Sequence, residues 1–348
     1  MIECGKDSEN VGMGKITPIV VTAAEDGQRL DKWLRSHYLD ISQVLIEKLC
    51  RTGQLRIDSV RVKPNTRVSE NQKIRVPDFV RSSRVKNGSN SIKIPSKLVE
   101  DLRKAVIFKD KHFIIFNKPY GMAVQGGSKL GHYHLANTLS EFSSVGDPVP
   151  RLVHRLDKET SGVLIVARTP KSASMISEMM KQRKIKKIYW ALVHKLPKKM
   201  AGIIFNPAGV CNELARSELD LLLKNKNYKG LQLLKLDQEG KESITVYKVL
   251  GHLGLERSWL ELLAITGRKH QLRKHLSSIG CPIIGDRRYG NNSNIDLPKN
   301  HSSYSHSKNQ KLHLHARMVD FEHPFSGERI KVTADPPVHM AKKLKPFL

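Results

Sequence analysis

Cysteine is scarce and scattered in this chain. Cys4, Cys50, Cys211 and Cys281 lie too far apart for a CxxC pair. That excludes a zinc ribbon or a small disulfide scaffold and points to reduced thiols in a cytoplasmic protein. Long apolar runs are missing too: none approaches the roughly 18 residues that a membrane helix requires, so no membrane partner is expected. Met1 to Lys15 is polar and lacks an apolar h-region, so no secretory signal is expected. There is no Gly-rich nucleotide loop, and no Cys or carboxylate stands at ligand spacing among His301, His306, His313 and His315. Neither a metal nor an organic cofactor is expected.

Acidic residues are the last shortage. Asp and Glu number 33 against 60 Lys and Arg, a formal net charge of +27. Such an excess suits a polyanionic partner, most often nucleic acid. The 348 residues suffice for two or three domains with a sizeable core.

Residues 1–15 read as a disordered tail and 16–79 as a compact module. In the module, Leu30, Trp33, Leu34 and Tyr38 have helical spacing. Ser42 is placed to cap a second helix that Gly53 stops, with Val44, Leu45, Ile46 and Leu49 as its apolar face. Leu55, Ile57, Val60 and Val62 alternate about an Asp58-Ser59 turn, as strands do. Residues 80–105 read as a basic linker, 106–336 as a large domain and 337–348 as a basic C-terminal tail.

The large domain offers strands at Phe113–Phe116, Val163–Ala167, Tyr189–Val193, Ile244–Leu250, Leu260–Ile265, Leu312–Phe321 and Arg329–Val332. It offers two good helices, about Lys171–Lys184 and Lys269–Ile279. Strands outnumber helices without βα alternation, so the expected class is α+β with a mixed, mostly antiparallel sheet. Asn291 to Gln310 reads as a surface insertion, and Asn206 to Lys241 matches nothing assignable.

The segment Arg151-Leu-Val-His-Arg-Leu-Asp-Lys-Glu-Thr-Ser-Gly-Val-Leu-Ile-Val-Ala-Arg168 stands out. A polar turn carrying Asp157 between Arg155 and Lys158 empties into an apolar strand. The tripeptide is not diagnostic alone, since Arg29-Leu30-Asp31 repeats it where it only opens a helix. There Leu30 packs and Asp31 sits in a first turn, favoured by the helix dipole.

His154-Arg155-Leu156-Asp157 resembles the signature of the RluA/RluC/RluD family of pseudouridine synthases. Further segments are similar to that family's landmarks, in its order: Asn117-Lys118-Pro119 with Val124-Gln125-Gly126-Gly127, Lys187-Ile-Tyr189-Trp-Ala-Leu-Val193, Thr266-Gly-Arg-Lys-His-Gln-Leu-Arg273, Gly285-Asp286-Arg-Arg-Tyr289-Gly290 and Leu312-His-Leu-His-Ala316. The module at 17–77 resembles the RNA-binding fold named after small-subunit ribosomal protein S-four. Lys269 and Lys274 depart from the usual pattern by adding charge.

The resemblance implies an isomerase that works without metal or organic cofactor on RNA, expected to be large-subunit ribosomal RNA as in the RluC branch. It implies Asp157 as the catalytic carboxylate, Arg273 as its salt-bridge partner and Tyr189 as a ring stacked on the target base, its hydroxyl helping to take the C5 proton. A uridine within a helix must be turned out before it can react. Arg155 would contact the RNA or fill the vacated stack. His154, Thr160, Arg268, His270, Gln271, Gly126 and Gly127 are expected around the substrate, and Arg35, Arg51 and Lys63 of the small module on RNA phosphates. Trp190 is assigned to the core. A monomer is expected. Two rivals from other classes are a non-catalytic RNA-binding ribosome-assembly factor on the same fold and a base-flipping glycosylase.

Overall fold

The computed structural model describes residues 18–38, 41–81, 95–126, 134–144, 146–207, 224, 231–236, 242–290 and 310–348. The tail at 1–15, Gly127, His301, His306, most of 206–241 and nearly all of the 291–310 insertion lie outside the described residues. The chain forms two compact units, residues 1–91 and 92–348. No helix among the described residues is long and apolar enough to cross a membrane.

The first unit holds β1 (Ile19–Val20), α1 (Leu30–His37), α2 (Gln43–Thr52), β2 (Arg56–Ile57), β3 (Val60–Arg61) and β4 (Lys73–Arg75), followed by the short α3 (Asp78–Arg81). Its four strands pair antiparallel in the order β1-β4-β2-β3. The helix ends are set by local chemistry. The Ser42 hydroxyl accepts the Leu45 amide at 3.2 Å, and Gly53 closes α2 in the left-handed region. Asp58 and Ser59 both have positive φ, 46° and 68°. That backbone suits a two-residue hairpin whose twist matches its strands. Leu30, Trp33, Leu34, Ile46, Leu49 and Ile74 fill the core. Asp31 stays in the first turn of α1, where Arg29 pairs with it at 2.6 Å.

The second unit opens with α4 (Ser96–Lys104) and continues through β5 (Val106–Lys109), β6 (Phe113–Lys118), α5 (Leu135–Thr138), β7 (Arg151–Leu152), β8 (Ser161–Ala167), α6 (Pro170–Lys181), β9 (Lys186–His194), β10 (Ala201–Asn206), β11 (Gln232–Lys235), β12 (Ser243–Leu253), β13 (Arg257–Ala264), α7 (Gln271–Ser278), β14 (Leu314–Glu322), β15 (Arg329–Thr333) and α8 (Val338–Leu344). The sheet runs β11-β10-β12-β13-β9-β14-β8-β6-β5, with β15 on β14 and β7 on β8. Two pairings are parallel, β10 with β11 and β14 with β8; the rest are antiparallel. The architecture is α+β, mixed and mostly antiparallel.

The centre of the sheet is a seam. β14 meets β8 through only His315 with Ser161 and Ala316 with Gly162, and its later half turns to β15. The backbones approach so closely there that a Cβ on Gly162 would collide with the Ala316 carbonyl, and Gly162 has φ +107°. Only glycine meets both demands. β8 is buried along its whole length, as its unbroken apolar run requires.

Two segments differ from their expected form. The stretch read as a linker contains α4, because Leu98 and Leu102, one turn apart, are buried in the core. The stretch read as a basic tail contains α8, which buries Met340 and Leu344 against Leu192, Trp259 and Ile284. In both, a short apolar stripe is diluted by charged residues. α7 begins at Gln271 rather than Lys269 because His270 adopts a left-handed backbone that cannot continue the helix backwards.

Candidate active site

The turn between β7 and β8 carries Asp157. Its shape is fixed from three directions. The Thr160 amide donates to the Asp157 carbonyl at 3.0 Å and the Gly121 amide to the Lys158 carbonyl at 3.0 Å. The ammonium of Lys118, wholly buried, donates to the carbonyls of Met122 at 2.8 Å, Pro119 at 3.0 Å and Lys158 at 3.3 Å. Burial draws the Lys118 ammonium down to about 7, against the pull of Asp157. One cation therefore ties the 118–122 loop to the Asp157 turn. Sequence reasoning noticed the Asn117-Lys118-Pro119 motif without assigning this role.

The opposite wall comes from α7. Leu272 and Leu276 face the core as their spacing predicts, and this sets Arg273 beside Asp157 with its own side chain 6% exposed. Arg273 Nη1 lies 3.9 Å from Asp157 Oδ2. Its closer partner is Asp286: Nε and Nη2 each donate to one carboxylate oxygen at 2.7 Å. Burial works against the Asp286 carboxylate. The Arg273 hydrogen bonds and charge, with the amides of Tyr289 and Arg288, outweigh it and hold the acid below its ordinary range. The expected salt bridge is thus one arm of a guanidinium whose other arm is committed. Asp286 belongs to the Gly285-to-Gly290 motif, whose spacing assigns it no partner. The one local sign was Gly285 before it, where a Cβ would collide with the Lys311 carbonyl.

His270 completes this wall. Its φ of 55° is a left-handed conformation, uncommon for a non-glycine residue and concentrated at functional sites. Its Nδ1 lies 2.9 Å from the Tyr289 hydroxyl and its Nε2 3.6 Å from Asp157 Oδ1. Burial lowers its affinity for a proton; Asp157 opposes this, while Arg273, Arg288 and Lys269 reinforce it. At neutral pH the ring therefore meets Asp157 as a neutral imidazole.

Tyr189 lies on β9 between Leu262 of β13 and Ala316 of β14, and packs against the apolar clusters of both neighbours. Burial, and behind it the charge of Asp157, push its hydroxyl up to about 12, so it keeps its proton. Asp157, Tyr189 and Arg273 line one cavity of about 170 Å³, together with Arg155, Thr160, Arg268 and His270. Leu156, Ala264, Leu272 and Leu314 give it apolar walls suited to a planar ring. A larger concavity of about 660 Å³ lies elsewhere, lined by residues including Met179, Lys184, Lys186, Asp320 and Arg329. It contains none of the motif residues, and its Asp320 and Arg329 neutralise each other at 2.8 Å.

Several expected substrate contacts have protein partners of their own. The Gln271 amide accepts from Thr266 Oγ1 at 2.7 Å and the Arg268 amide at 3.0 Å, and donates to the Ile244 carbonyl at 2.9 Å and Thr245 Oγ1 at 3.0 Å. Its side-chain amide holds the 266–271 loop to β12, and the residue also lines the cavity. His154 Nε2 accepts the Ile165 amide at 2.8 Å, which props the Asp157 turn against β8, and it does not line the cavity. Gly126 abuts His134, whose ring nitrogen would stand 2.7 Å from an added Cβ. His313 and His315 are buried; His315 bonds Ser161 Oγ at 2.9 Å and the Ala334 carbonyl at 3.0 Å. Arg35, Arg51 and Lys63 are exposed on the first unit. Trp190 is half-buried, edge-on to Trp259 and under Arg317 at 4.5 Å.

Residues 112–278 match the family model of RNA pseudouridylate synthase, and residues 28–74 match the S4 domain. The ribosomal large subunit pseudouridine synthase C of Buchnera aphidicola subsp. Baizongia pistaciae is 32% identical over 316 residues, 90% of this chain and 92% of its own length. The protein of the same name from Escherichia coli K12 is 30% identical over 319 residues, 91% of this chain and 92% of its own. Among solved structures, human RNA Pseudouridylate Synthase Domain Containing 4 superposes with a TM-score of 0.56 at 27% identity, covering 72% of this chain and 95% of that one.

Proposed function

The chain belongs to the RNA pseudouridylate synthase family and is an isomerase of RNA uridines; from that premise we propose that its substrate is large-subunit ribosomal RNA and that Asp157 is the catalytic carboxylate, acting on a uridine turned out of its helix. The observation that carries this reading is the meeting of Asp157, Tyr189 and Arg273 in one small cavity.

Pseudouridine formation is internally balanced. The N1–C1′ bond breaks, the ring turns, a C5–C1′ bond forms, and the proton lost from C5 is matched by one gained at N1. No oxidant, reductant or group donor is consumed. What the reaction needs is a carboxylate to attack or assist, walls that hold the detached ring, and no bulk water to intercept it. Asp157 supplies the carboxylate. The Arg273 arm at 3.9 Å and the His270 ring at 3.6 Å flank it. The apolar walls hold the ring.

Tyr189 stacks on the base. Its phenol keeps its proton in the resting site. Any part it takes in removing the C5 proton therefore requires that its own proton first passes on. Arg155, exposed at the rim, is placed to enter the vacated stack. The S4-type module, through Arg35, Arg51 and Lys63, would grip phosphates.

RNA transcribed with tritium at uridine C5, incubated with the protein and no cofactor, tests this. Wild type should release label to water with the RNA chain intact, and Asp157→Ala and Asp157→Asn should release none. Label release that persists in either variant overturns the role of Asp157. Mapping the product on ribosomal RNA fragments decides the substrate.

A further inference from the structure

His270 carries a ring nitrogen that neither the fold nor the Asp157 carboxylate engages. The residue stands just ahead of α7 with φ 55°, a backbone that a histidine keeps only where its surroundings impose it. One side of the ring is pinned. Nδ1 lies 2.9 Å from the Tyr289 hydroxyl, and the two rings meet edge to face with centroids 5.7 Å apart. Tyr289 is itself fixed. Its amide donates to Asp286 Oδ1 at 3.0 Å, its carbonyl accepts Ser277 Oγ at 2.7 Å, and the Arg273 guanidinium lies over its ring at 5.2 Å. The carboxylate that chelates Arg273 therefore also anchors the turn that aims His270.

The other nitrogen belongs to the cavity. Nε2 is 3.6 Å from Asp157 Oδ1, too far for a hydrogen bond, and His270 lines the cavity beside that acid. Among the described residues Nε2 makes no hydrogen bond. A neutral imidazole carries its proton on either nitrogen. With the Tyr289 hydroxyl donating into Nδ1, the proton sits on Nε2 and faces the carboxylate. The opposite tautomer would aim a lone pair at Asp157, a repulsion that the first avoids.

When N1 parts from C1′ the bonding pair leaves with the ring, so negative charge develops across N1 and the uracil oxygens. A donor already aimed at such charge lowers the barrier, and a neutral imidazole can be that donor. A cation in the same place would pair with Asp157 and blunt it; a neutral N–H does not. Arg273 is poorly placed for the task, since its Nε and Nη2 are committed to Asp286. We propose that His270 Nε2–H donates a hydrogen bond to an oxygen of the departing uracil ring, which makes His270 a catalytic residue and Tyr289 its positioning residue. The inference rests on the reading of Asp157 above. His270 keeps its proton throughout; the proton lost from C5 and the one gained at N1 are exchanged afterwards.

Tritium release in single turnover, with protein in excess over large-subunit ribosomal RNA transcripts, reads this out. His270→Leu removes the donor and should slow release about hundredfold, the loss expected for one such donor. The protein concentration for half-maximal rate should stay within about threefold, because the interaction forms only as the bond breaks. His270→Gln, with an amide that reaches the place of Nε2 and the same backbone strain, should lose less than about tenfold. A second RNA carries one 5-fluorouridine at the mapped position, and its consumption is followed by chromatography of the digested RNA. Fluorine draws negative charge onto the ring and lightens the demand on the donor, so the His270→Leu loss should shrink to under about tenfold. The two RNAs are compared within one protein, so a folding defect cannot produce that shrinkage. Equal losses in His270→Leu and His270→Gln, or an equal His270→Leu loss on both RNAs, overturns the proposal. Failure of the wild type to release label would instead strike at the function itself.

Discussion

Arg273 is chelated by Asp286, through two hydrogen bonds of 2.7 Å, and reaches Asp157 only with its remaining nitrogen at 3.9 Å. The guanidinium is therefore oriented before any substrate arrives. Its charge is shared between two acids, one committed and one exposed to the cavity.

Breaking the chelate should cost more than the site. Asp286→Asn leaves a buried guanidinium half paired and is expected to destabilise by about 3–5 kcal/mol, and to abolish label release. The double variant Arg273→Met/Asp286→Leu should recover much of the stability, because it removes both charges, yet stay inactive. Urea midpoints and tritium release on the three proteins check this. A double variant no more stable than Asp286→Asn would contradict the account.

The His270 ring is aimed by one hydroxyl. Tyr289→Phe removes the partner of Nδ1 while keeping the ring over which Arg273 lies at 5.2 Å. A neutral hydrogen bond is worth about 1 kcal/mol, so single-turnover release should slow by roughly three- to tenfold with little change in melting temperature. An unaltered rate would mean that the orientation of His270 is irrelevant to the slow step.

Gly162 should be irreplaceable. Alanine there combines a strained backbone with a clash against the Ala316 carbonyl, and is expected to cost about 3 kcal/mol or more. Gly327→Ala, with similarly positive φ but nothing within 4 Å of an added Cβ, should cost only about 1 kcal/mol. Thermal melts of the pair give the comparison, and equal losses would refute the close approach.

Stability should have a steep acid limb. Burial pushes His275, His313 and His315 each down to about 4. Unfolded imidazoles titrate near 6.5. Between these values the unfolded chain binds more protons, so stability rises with pH through the window and is lost as pH falls through it. The slope is at most about 1.4 kcal/mol per pH unit for each histidine. Urea midpoints at pH 7.5 and 5.0 should differ strongly, and His315→Gln should shrink the difference. Identical midpoints would rule the explanation out.

The frame of the molecule was open to reading because its signals are periodic. β8 announces itself as an unbroken apolar run, and α7 as Leu272 and Leu276 one turn apart. Ser42 and Gly53 mark helix ends through their own chemistry. Asp157, Tyr189 and Arg273 came from ordered motifs, and the cavity unites them. What stayed hidden depends on tertiary partners. The bonds that tie Gln271 to Ile244 and Thr245, and His154 to Ile165, could not be read from the motifs that contain them. The tie between Asp286 and Arg273 spans 13 residues and a glycine turn, and no spacing rule links them. α4 was masked by Glu100 and Asp101 between Leu98 and Leu102, and α8 by Lys342 and Lys343 between Met340 and Leu344.

The seam between β8 and β14 has a temporal consequence. Its two residue pairs join positions 154 apart in the chain, His315 with Ser161 and Ala316 with Gly162. The turn bearing Asp157 hangs from one side of that join, and the strand bearing Tyr189 from the other. A growing polypeptide thus makes Asp157 early but cannot complete the sheet beside it until β14 has emerged. A product truncated ahead of β14 carries Asp157 without the strand that joins its turn to Tyr189.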